Sequence, residues 1–149
     1  MKLEGSYTIS APRDRVFDLL RDPQLLRTCI PNCEELTEVS PGRYEATIRA
    51  GIGSIRGTFT GHVEISDLQP PTSYRLLVEG AGGPGHVKGD AHVTLADAAD
   101  GTRVDVLGDG QVGGLIAGVG QRMLLPSARS MMNQFFTCMK TKIEASVGG

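Results

Sequence analysis

One stretch near the end of the chain decides the fold; from residue 112 to residue 147 it reads VGGLIAGVGQRMLLPSARSMMNQFFTCMKTKIEASV. Its apolar residues recur every three or four positions, as on one face of an amphipathic helix: Leu115, Val119, Met123, Met131, Phe135, Met139 (or Cys138) and Ile143. The opposite face is polar: Gln121, Arg122, Arg129, Asn133, Lys140 and Glu144. Such a helix would be about 45 Å long, so the rest of the chain must cover its apolar side.

The predicted helix has two unusual features. Four glycines lie at its start, Gly113, Gly114, Gly118 and Gly120, and each costs roughly 1 kcal/mol of helix stability relative to Ala. Pro126 removes a backbone hydrogen bond and should kink or split the helix. We therefore expect a mobile segment over 115–125 and a well-packed helix over 127–146. Two interpretations stay open: the glycines serve close packing against a sheet, or the first segment is a gate.

Composition limits the classes of protein that this chain represents. Its 149 residues predict a single domain, 1–149, large enough for a real core. The net charge of −2 predicts no nucleic-acid partner. No apolar run is long enough to span a membrane, and the N-terminus lacks the apolar segment of a signal peptide, so we expect a cytoplasmic protein. Three irregularly spaced cysteines predict no disulfide framework.

The remainder of the chain predicts strands and two short helices. Residues 2–9 alternate between polar and apolar, and Pro12 opens a helix that Asp22-Pro23 ends, followed by a second helix over 24–29. Six further alternating segments are separated by turns, at 34–39, 43–52, 55–68, 74–80, 87–95 and 104–112. Short connections favour an antiparallel meander. The predicted fold is therefore α+β, a helix-grip: a curved antiparallel seven-stranded sheet wrapped around a long C-terminal helix, with two short helices after strand 1.

Several blocks of the sequence resemble one family of helix-grip proteins. The main ones are MKLEG at 1–5, CIPNCE at 29–34, DLQPP at 67–71, GGPGHVKG at 82–89 and VGG at 112–114. Together they are similar to the CoxG family, the G subunit of carbon monoxide dehydrogenase, within the START-like, polyketide-cyclase-like (SRPBCC) superfamily. The resemblance covers nearly the whole chain and implies a hydrophobic cavity between the sheet and the long helix.

The resemblance also implies a function. As a member of this family, the protein would be a non-catalytic accessory protein of a carbon monoxide dehydrogenase or a related molybdenum hydroxylase. The cavity would hold a quinone, such as menaquinone, or another isoprenoid lipid without a covalent bond. The protein would act at the inner face of the cell membrane and contact it transiently. Two other functions stay open: a membrane-recruitment adaptor without a ligand, and a cyclase- or hydratase-type enzyme.

Apolar positions that face the helix form the predicted ligand-binding set: Ile48, Ile52, Phe59, Val63, Leu76, Val78, Val119, Met123 and Phe135. Each could simply be core, but glycines at 57, 61, 89, 108 and 110 remove side-chain volume beside them. An apolar pocket suits a lipid or a quinone tail. We expect a deformable apolar gate that contacts the membrane, formed by Leu25, Leu26, Gly113, Gly114, Leu115, Ile116 and Gly118.

The sequence offers little catalytic chemistry. The spacing of Cys29 and Cys33 does not match a zinc knuckle, Cys138 stands alone in the predicted helix, and we predict no metal site. No nucleophile–base pair is visible, so no catalytic residue is predicted. Strands flank the glycine-rich segment 82–85 on both sides, which favours a hairpin turn over a phosphate-binding loop.

Overall fold

A computed structural model describes residues 1–148. Within these residues the chain forms seven strands, three α-helices and one 3₁₀ segment: β1 (Lys2–Ile9), α1 (Arg13–Leu19), α2 (Pro23–Cys29), β2 (Cys33–Ser40), β3 (Arg43–Ile52), β4 (Ile55–Gln69), β5 (Ser73–Gly82), β6 (Gly85–Ala98), β7 (Gly101–Gly113), the 3₁₀ segment (Leu115–Val119) and α3 (Gln121–Gly148). The order of elements confirms the predicted α+β helix-grip fold.

All seven strands form one antiparallel sheet in the order β1-β7-β6-β5-β4-β3-β2. The alternation of apolar and polar residues fixes which side chains face α3, because successive strand residues point to opposite faces. Register then aligns the inward residues in rows, such as Tyr44, Val63, Val78, Gly89 and Gly110 across β3 to β7. The outward face carries ion pairs such as Arg75 with Asp90.

The prediction of one helix over 112–147 is wrong at its start. Residues 112 and 113 end β7, a 3₁₀ segment follows, and α3 begins only at Gln121. Gly114 and Gly120 have φ angles of 79° and 81°, a region that glycine adopts readily and an α-helix cannot contain. Pro126 lies inside α3, so the chain breaks at these glycines rather than at the proline.

The buried side of α3 therefore differs from the predicted stripe in its first half. Met139 and Ile143 are fully buried as predicted, but Met123 and Met131 are 44% and 36% exposed. Leu124 and Phe136, with 5% and 6% of their surface exposed, lie in the core instead. At 3.6 residues per turn, each step of four residues turns about 40° past a full circle, so the predicted run 131, 135, 139 and 143 drifts around the helix and Met131 falls outside the buried face.

Three residues of the predicted solvent-facing side of α3 fasten the helix to β1. The Tyr7 hydroxyl donates to Asn133 Oδ1 at 2.7 Å, and Lys140 Nζ donates to the Thr8 carbonyl at 2.9 Å. Glu144 Oε2 accepts from Lys140 Nζ at 2.6 Å and from the Ser10 N–H at 2.8 Å. The hydrogen bond from Lys140 does most to lower the pKa of Glu144, and the bond from the Ser10 N–H lowers it further. This side of α3 thus contacts the edge of the sheet.

A disulfide joins α2 to α3 and corrects the expectation that Cys138 stands alone. Cys29, the last residue of α2, is bonded to Cys138, with 5.3 Å between their Cα atoms and 109 residues between them in sequence. Cys33 is the free cysteine. In the turn that separates it from α2, the Cys33 N–H donates to the Ile30 carbonyl and Asn32 has a φ of 58°.

Two methionines of α3 test this packing. Met139→Ala should lower the free energy of unfolding by about 2–5 kcal/mol, because the residue is fully buried and leaves a cavity. Met131→Ala makes the same chemical change on an exposed position and should cost less than about 1 kcal/mol. Urea titrations followed by circular dichroism measure both values. Equal losses would mean that α3 packs on a different face.

The Glu144 contacts generate a second prediction. Because its pKa is lowered in the folded protein, the Glu144 carboxylate stabilises the fold fully above its pKa in the unfolded chain. That contribution is lost as the pH falls through the lowered folded pKa. Glu144→Gln should therefore reduce stability at pH 7 and approach wild-type stability in acid. Urea midpoints from pH 7 to pH 3 measure the difference, and a gap that stays constant down to pH 3 contradicts the assignment.

Candidate ligand-binding interior

The space between the sheet and α3 contains two separate clusters of buried apolar residues. The larger one joins α1, α2 and the second half of α3 to the sheet, and includes Phe17, Leu95, Met139 and Ile143. The smaller one consists of Phe59, Ile116 and Leu124. Half-buried apolar side chains surround it: Met1, Ala50, Ile52, Val87, Val112 and Val119. The two clusters adjoin in the middle of the sheet, where Val78 of the larger cluster pairs with Gly89 and Val87 of the smaller one pairs with Gly80.

The middle of the inner face has few side chains. In one row of paired residues across the strands, Val78 lies opposite Gly89, and Gly89 lies opposite Gly110. The next row contains Gly61 opposite Gly80. A Cβ atom added at Gly89 would lie 4.0 Å from its nearest neighbour, a Val78 carbon, so there is room for a larger residue. Space is therefore available beside Val78, where a side chain would otherwise project towards α3.

Two of the glycines expected to remove volume have another role. A Cβ atom at Gly57 would lie 2.6 Å from Pro84 Cγ, and one at Gly61 would collide with the Glu79 carbonyl oxygen. These positions allow neighbouring segments to approach closely, so their lack of a side chain opens no space. Of the five predicted positions, Gly89 and Gly110 have the least crowded surroundings, with nearest neighbours at 4.0 and 3.5 Å.

Most of the predicted ligand-binding residues share this interior. Phe59 and Val63 are buried, and the others are half-buried with the exception of Met123: Ile48, Ile52, Leu76, Val78, Val119 and Phe135. Met123 is 44% exposed in the first turn of α3, where its Cε would lie 3.2 Å from a Cβ at Gly53. Whether these residues bind a ligand stays a prediction.

The interior has little polar chemistry. The buried and half-buried strand positions that face α3 carry apolar residues, glycine, Cys33, Thr102 or tyrosine. Register places two carboxylates on this face, Glu38 opposite Tyr44 and Asp97 opposite Thr102, but both lie near strand ends and are exposed. Within residues 1–148, no cluster of three metal-ligating side chains is present.

The tyrosines of the interior hold their protons. The Tyr44 hydroxyl donates to the Arg21 carbonyl at 3.2 Å, and burial, followed by the nearby Glu38 carboxylate, raises the pKa of Tyr44. Burial also raises the pKa of Tyr74. A phenol that keeps its proton cannot act as a general base near neutral pH. The Tyr44 hydroxyl is therefore a structural donor.

The predicted gate separates into two parts. The Ile116 N–H donates to the Pro84 carbonyl at 2.8 Å and its side chain is buried, whereas Leu115 beside it is 67% exposed. Leu25 and Leu26 pack in the larger cluster, on α2, and Ile116 in the smaller one. We call the exposed residues Leu115, Ala117, Gly118 and Met123 the apolar lip. None of the helices described here is long and apolar enough to cross a membrane.

Comparisons with known proteins agree with this architecture. A model of the CoxG family, described as the G subunit of carbon monoxide dehydrogenase, matches residues 5–144. The crystal structure of a conserved protein from Geobacillus kaustophilus is 32% identical, covers 98% of this chain and 97% of its own, and has a TM-score of 0.92. Comparison with curated proteins gives no significant match.

Two more distant crystal structures share the fold. A protein from Chromobacterium violaceum is 17% identical with a TM-score of 0.72, and covers 96% of this chain and 97% of its own. One from Thermus thermophilus is 16% identical with a TM-score of 0.71, and covers 98% and 99%. At this identity the likeness concerns the fold alone.

Two glycines between β7 and α3 give contrasting predictions. Gly120 has a φ of 81° and a ψ of 162°, so Gly120→Ala should lower the free energy of unfolding by roughly 1–3 kcal/mol. A Cβ atom at Gly118 meets nothing within 4 Å, and Gly118→Ala should leave stability unchanged or raise it by up to about 1 kcal/mol. Urea unfolding compares the two. A larger loss for Gly118→Ala would contradict the described break at Gly120.

Proposed function

This chain belongs to the CoxG family of carbon monoxide dehydrogenase, and we propose that it is a non-catalytic accessory protein of a molybdenum-containing carbon monoxide dehydrogenase or related hydroxylase. In this proposal the interior takes up a hydrophobic, lipid-like ligand, a respiratory quinone such as menaquinone, without a covalent bond. The protein then works at the inner face of the cell membrane, in transient contact with it, and links the enzyme to membrane electron transport.

One observation carries the ligand proposal: the middle of the sheet is poor in side chains where the two apolar clusters adjoin. Val78 pairs with Gly89 there, and Phe135 and Met132 of α3 pack against the larger cluster as half-buried apolar residues. An interior with apolar walls and few polar groups favours a long apolar molecule over a charged metabolite. Methionine at such a wall adapts to ligands of uneven shape.

The same chemistry supports a non-catalytic role. A cyclase or hydratase needs a positioned acid or base beside its substrate. The buried and half-buried strand side chains that face α3 supply no carboxylate, imidazole or amine. Their hydroxyl groups come from Thr102, which donates to the Ala11 carbonyl, and from tyrosines such as Tyr7 and Tyr44, which donate to other groups of the protein.

The apolar lip supports contact with a membrane surface. Leu115 is 67% exposed, next to a buried residue that anchors its segment. An exposed large apolar side chain on a firmly held segment is suited to insertion among lipid headgroups. The lip would also serve an adaptor that recruits the enzyme to the membrane without any ligand, which is the second candidate function.

A pair of glycine substitutions tests the first candidate against the second. Gly89→Leu should fill the interior, because a Cβ atom there is 4.0 Å from its nearest neighbour. Gly83→Leu adds the same side chain in the β5–β6 turn, where nothing lies within 4 Å, and is the matched control. Native mass spectrometry with organic extraction should detect a quinone on wild type and control, and at least tenfold less on Gly89→Leu.

Other outcomes contradict the ligand proposal. If folded Gly89→Leu protein retains as much quinone as wild type, the ligand does not occupy this interior. If wild-type protein from a quinone-containing host carries nothing and takes up nothing from quinone liposomes, the adaptor is the better function. Circular dichroism and urea unfolding show that both variants are folded.

A further inference from the structure

The apolar lip lies at one end of the structure, where three segments of the chain meet. The tip of the β3–β4 hairpin reaches α3 there, since a Cβ atom at Gly53 would lie 3.2 Å from Met123 Cε. The β5–β6 turn reaches the 3₁₀ segment, because the Pro84 carbonyl accepts from the Ile116 N–H. The segments that form this end, which we call the lip end, are 46–61, 80–89 and 110–123.

The lip end contains no acidic side chain. The 17 Asp and Glu residues of the chain all lie outside its three segments, although the protein as a whole has a net charge of −2. The Lys and Arg residues of the lip end are Arg49, Arg56, Lys88 and Arg122. A protein that is negative overall therefore has one positive end, and that end carries the apolar lip.

Ion pairs neutralise two of these four cations. Arg49 pairs with Glu34 at 3.0 Å, and Lys88 pairs with Glu79 at 3.5 Å. Both glutamates lie outside the lip end, on β2 and in the middle of β5. The carboxylates nearest to the lip end are thus already paired, so they do not cancel the charge of the two other arginines.

The two other arginines lie beside the lip. Arg56 belongs to the β3–β4 hairpin, whose tip lies against Met123. Arg122 precedes Met123 in the first turn of α3. Both are exposed, and neither forms an ion pair among residues 1–148. The next charged residue of α3, Arg129, is again an exposed cation outside these pairs. The uncompensated charge around the lip is therefore positive.

We propose that the lip end docks on an anionic lipid bilayer, with Leu115 among the headgroups and with Arg56 and Arg122 bound to lipid phosphate groups. The proposal rests on the membrane contact of the proposed function and names the lipid chemistry that this contact recognises. A guanidinium group binds a phosphate through two hydrogen bonds, while its aliphatic stem stays beside apolar surface. Both parts of an arginine therefore suit the boundary between headgroups and acyl chains.

The shape of the lip favours a bilayer over an acidic protein as the partner. Leu115 is 67% exposed, and the Ile116 N–H bond to Pro84 holds the backbone beside it. Its exposed neighbours Ala117 and Gly118 are too small to extend the apolar patch. A protein interface needs a core of larger apolar side chains, whereas a bilayer binds isolated apolar anchors that have basic residues around them.

The distribution of charge also sets the orientation of the protein on the bilayer. An anionic surface attracts the lip end and repels the acidic remainder of the molecule. Ile116, Leu124 and Phe59, the buried residues of the smaller cluster, belong to the segments of the lip end. Docking in this orientation brings that cluster towards the lipid, which is the direction from which a membrane quinone would enter.

The test measures co-sedimentation of the protein with lipid vesicles. Vesicles of phosphatidylcholine alone are compared with vesicles in which about a third of the lipid is phosphatidylglycerol, both without quinone. The wild-type protein should bind the anionic vesicles at least about tenfold more tightly. Binding should weaken as the KCl concentration rises, because salt screens exposed charges.

Substitutions locate the contact. Arg56→Gln/Arg122→Gln should weaken binding to the anionic vesicles roughly tenfold and reduce its salt dependence, because each basic residue near such a surface strengthens binding severalfold. The matched control Arg15→Gln/Lys142→Gln removes one exposed cation on α1 and one about 30 Å along α3 from Arg122, and should change binding less than about twofold. Leu115→Ser should weaken binding and retain its salt dependence.

The quinone content of the same wild-type protein, measured by native mass spectrometry, separates this inference from the ligand proposal. Protein without quinone that binds anionic vesicles through Arg56 and Arg122 supports the inference and contradicts the ligand. Protein with quinone that binds both kinds of vesicle equally contradicts the inference alone.

Two further results overturn the inference. One is an equal loss of binding in the lip-end variant and in its control, which would make net charge the cause. The other is a wild-type protein that binds neither kind of vesicle, which contradicts the membrane contact as well and assigns the cations to an acidic protein surface. Circular dichroism shows whether the variants are folded. If the lip-end variant is not folded, the lipid preference and salt dependence of the wild type decide the question, and binding that depends on neither overturns it.

Discussion

The structure depends on how firmly the second half of α3 is held against the sheet. Met139 and Ile143 are fully buried there, and Lys140 and Glu144 reach the backbone of β1 and of Ser10 beside it. Apolar burial supplies most of the free energy, and the polar contacts fix the rotation of the helix about its axis. Because this half is fixed, the sheet does not have to fill its middle rows with side chains.

Much of the fold could be predicted from the sequence because strands reveal their faces by alternation. The two-residue alternation along the strands is enough to place Tyr44, Phe59 and Val63 on the inner face. The short turns between strands then favour an antiparallel meander as the simplest topology. The start of α3 could not be predicted in this way. Helical periodicity continues through residues 115–119, and only the backbone angles at Gly114 and Gly120 show that it does not belong to one helix.

The sequence predicts which side of α3 is buried, but not what its polar side contacts. Its interior side could be predicted because apolar spacing reports burial. The contacts of Asn133, Lys140 and Glu144 with β1 could not be predicted, because the same polar residue types occur on helix faces that contact water and on faces that contact a strand edge. The pairing of Cys29 with Cys138 is hidden for a related reason: an odd number of cysteines and a separation of 109 residues leave every pairing open.

Under the proposed function α3 is one wall of the interior, and its second half is fixed from two directions. Lys140 donates to the Thr8 carbonyl of β1, at the edge of the sheet. Cys138 is bonded to Cys29, the last residue of α2, so the disulfide ties that helix to the same wall. The first half of α3 is held by apolar contacts such as those of Leu124 in the smaller cluster, and this division places the firm part of the wall beside the larger cluster.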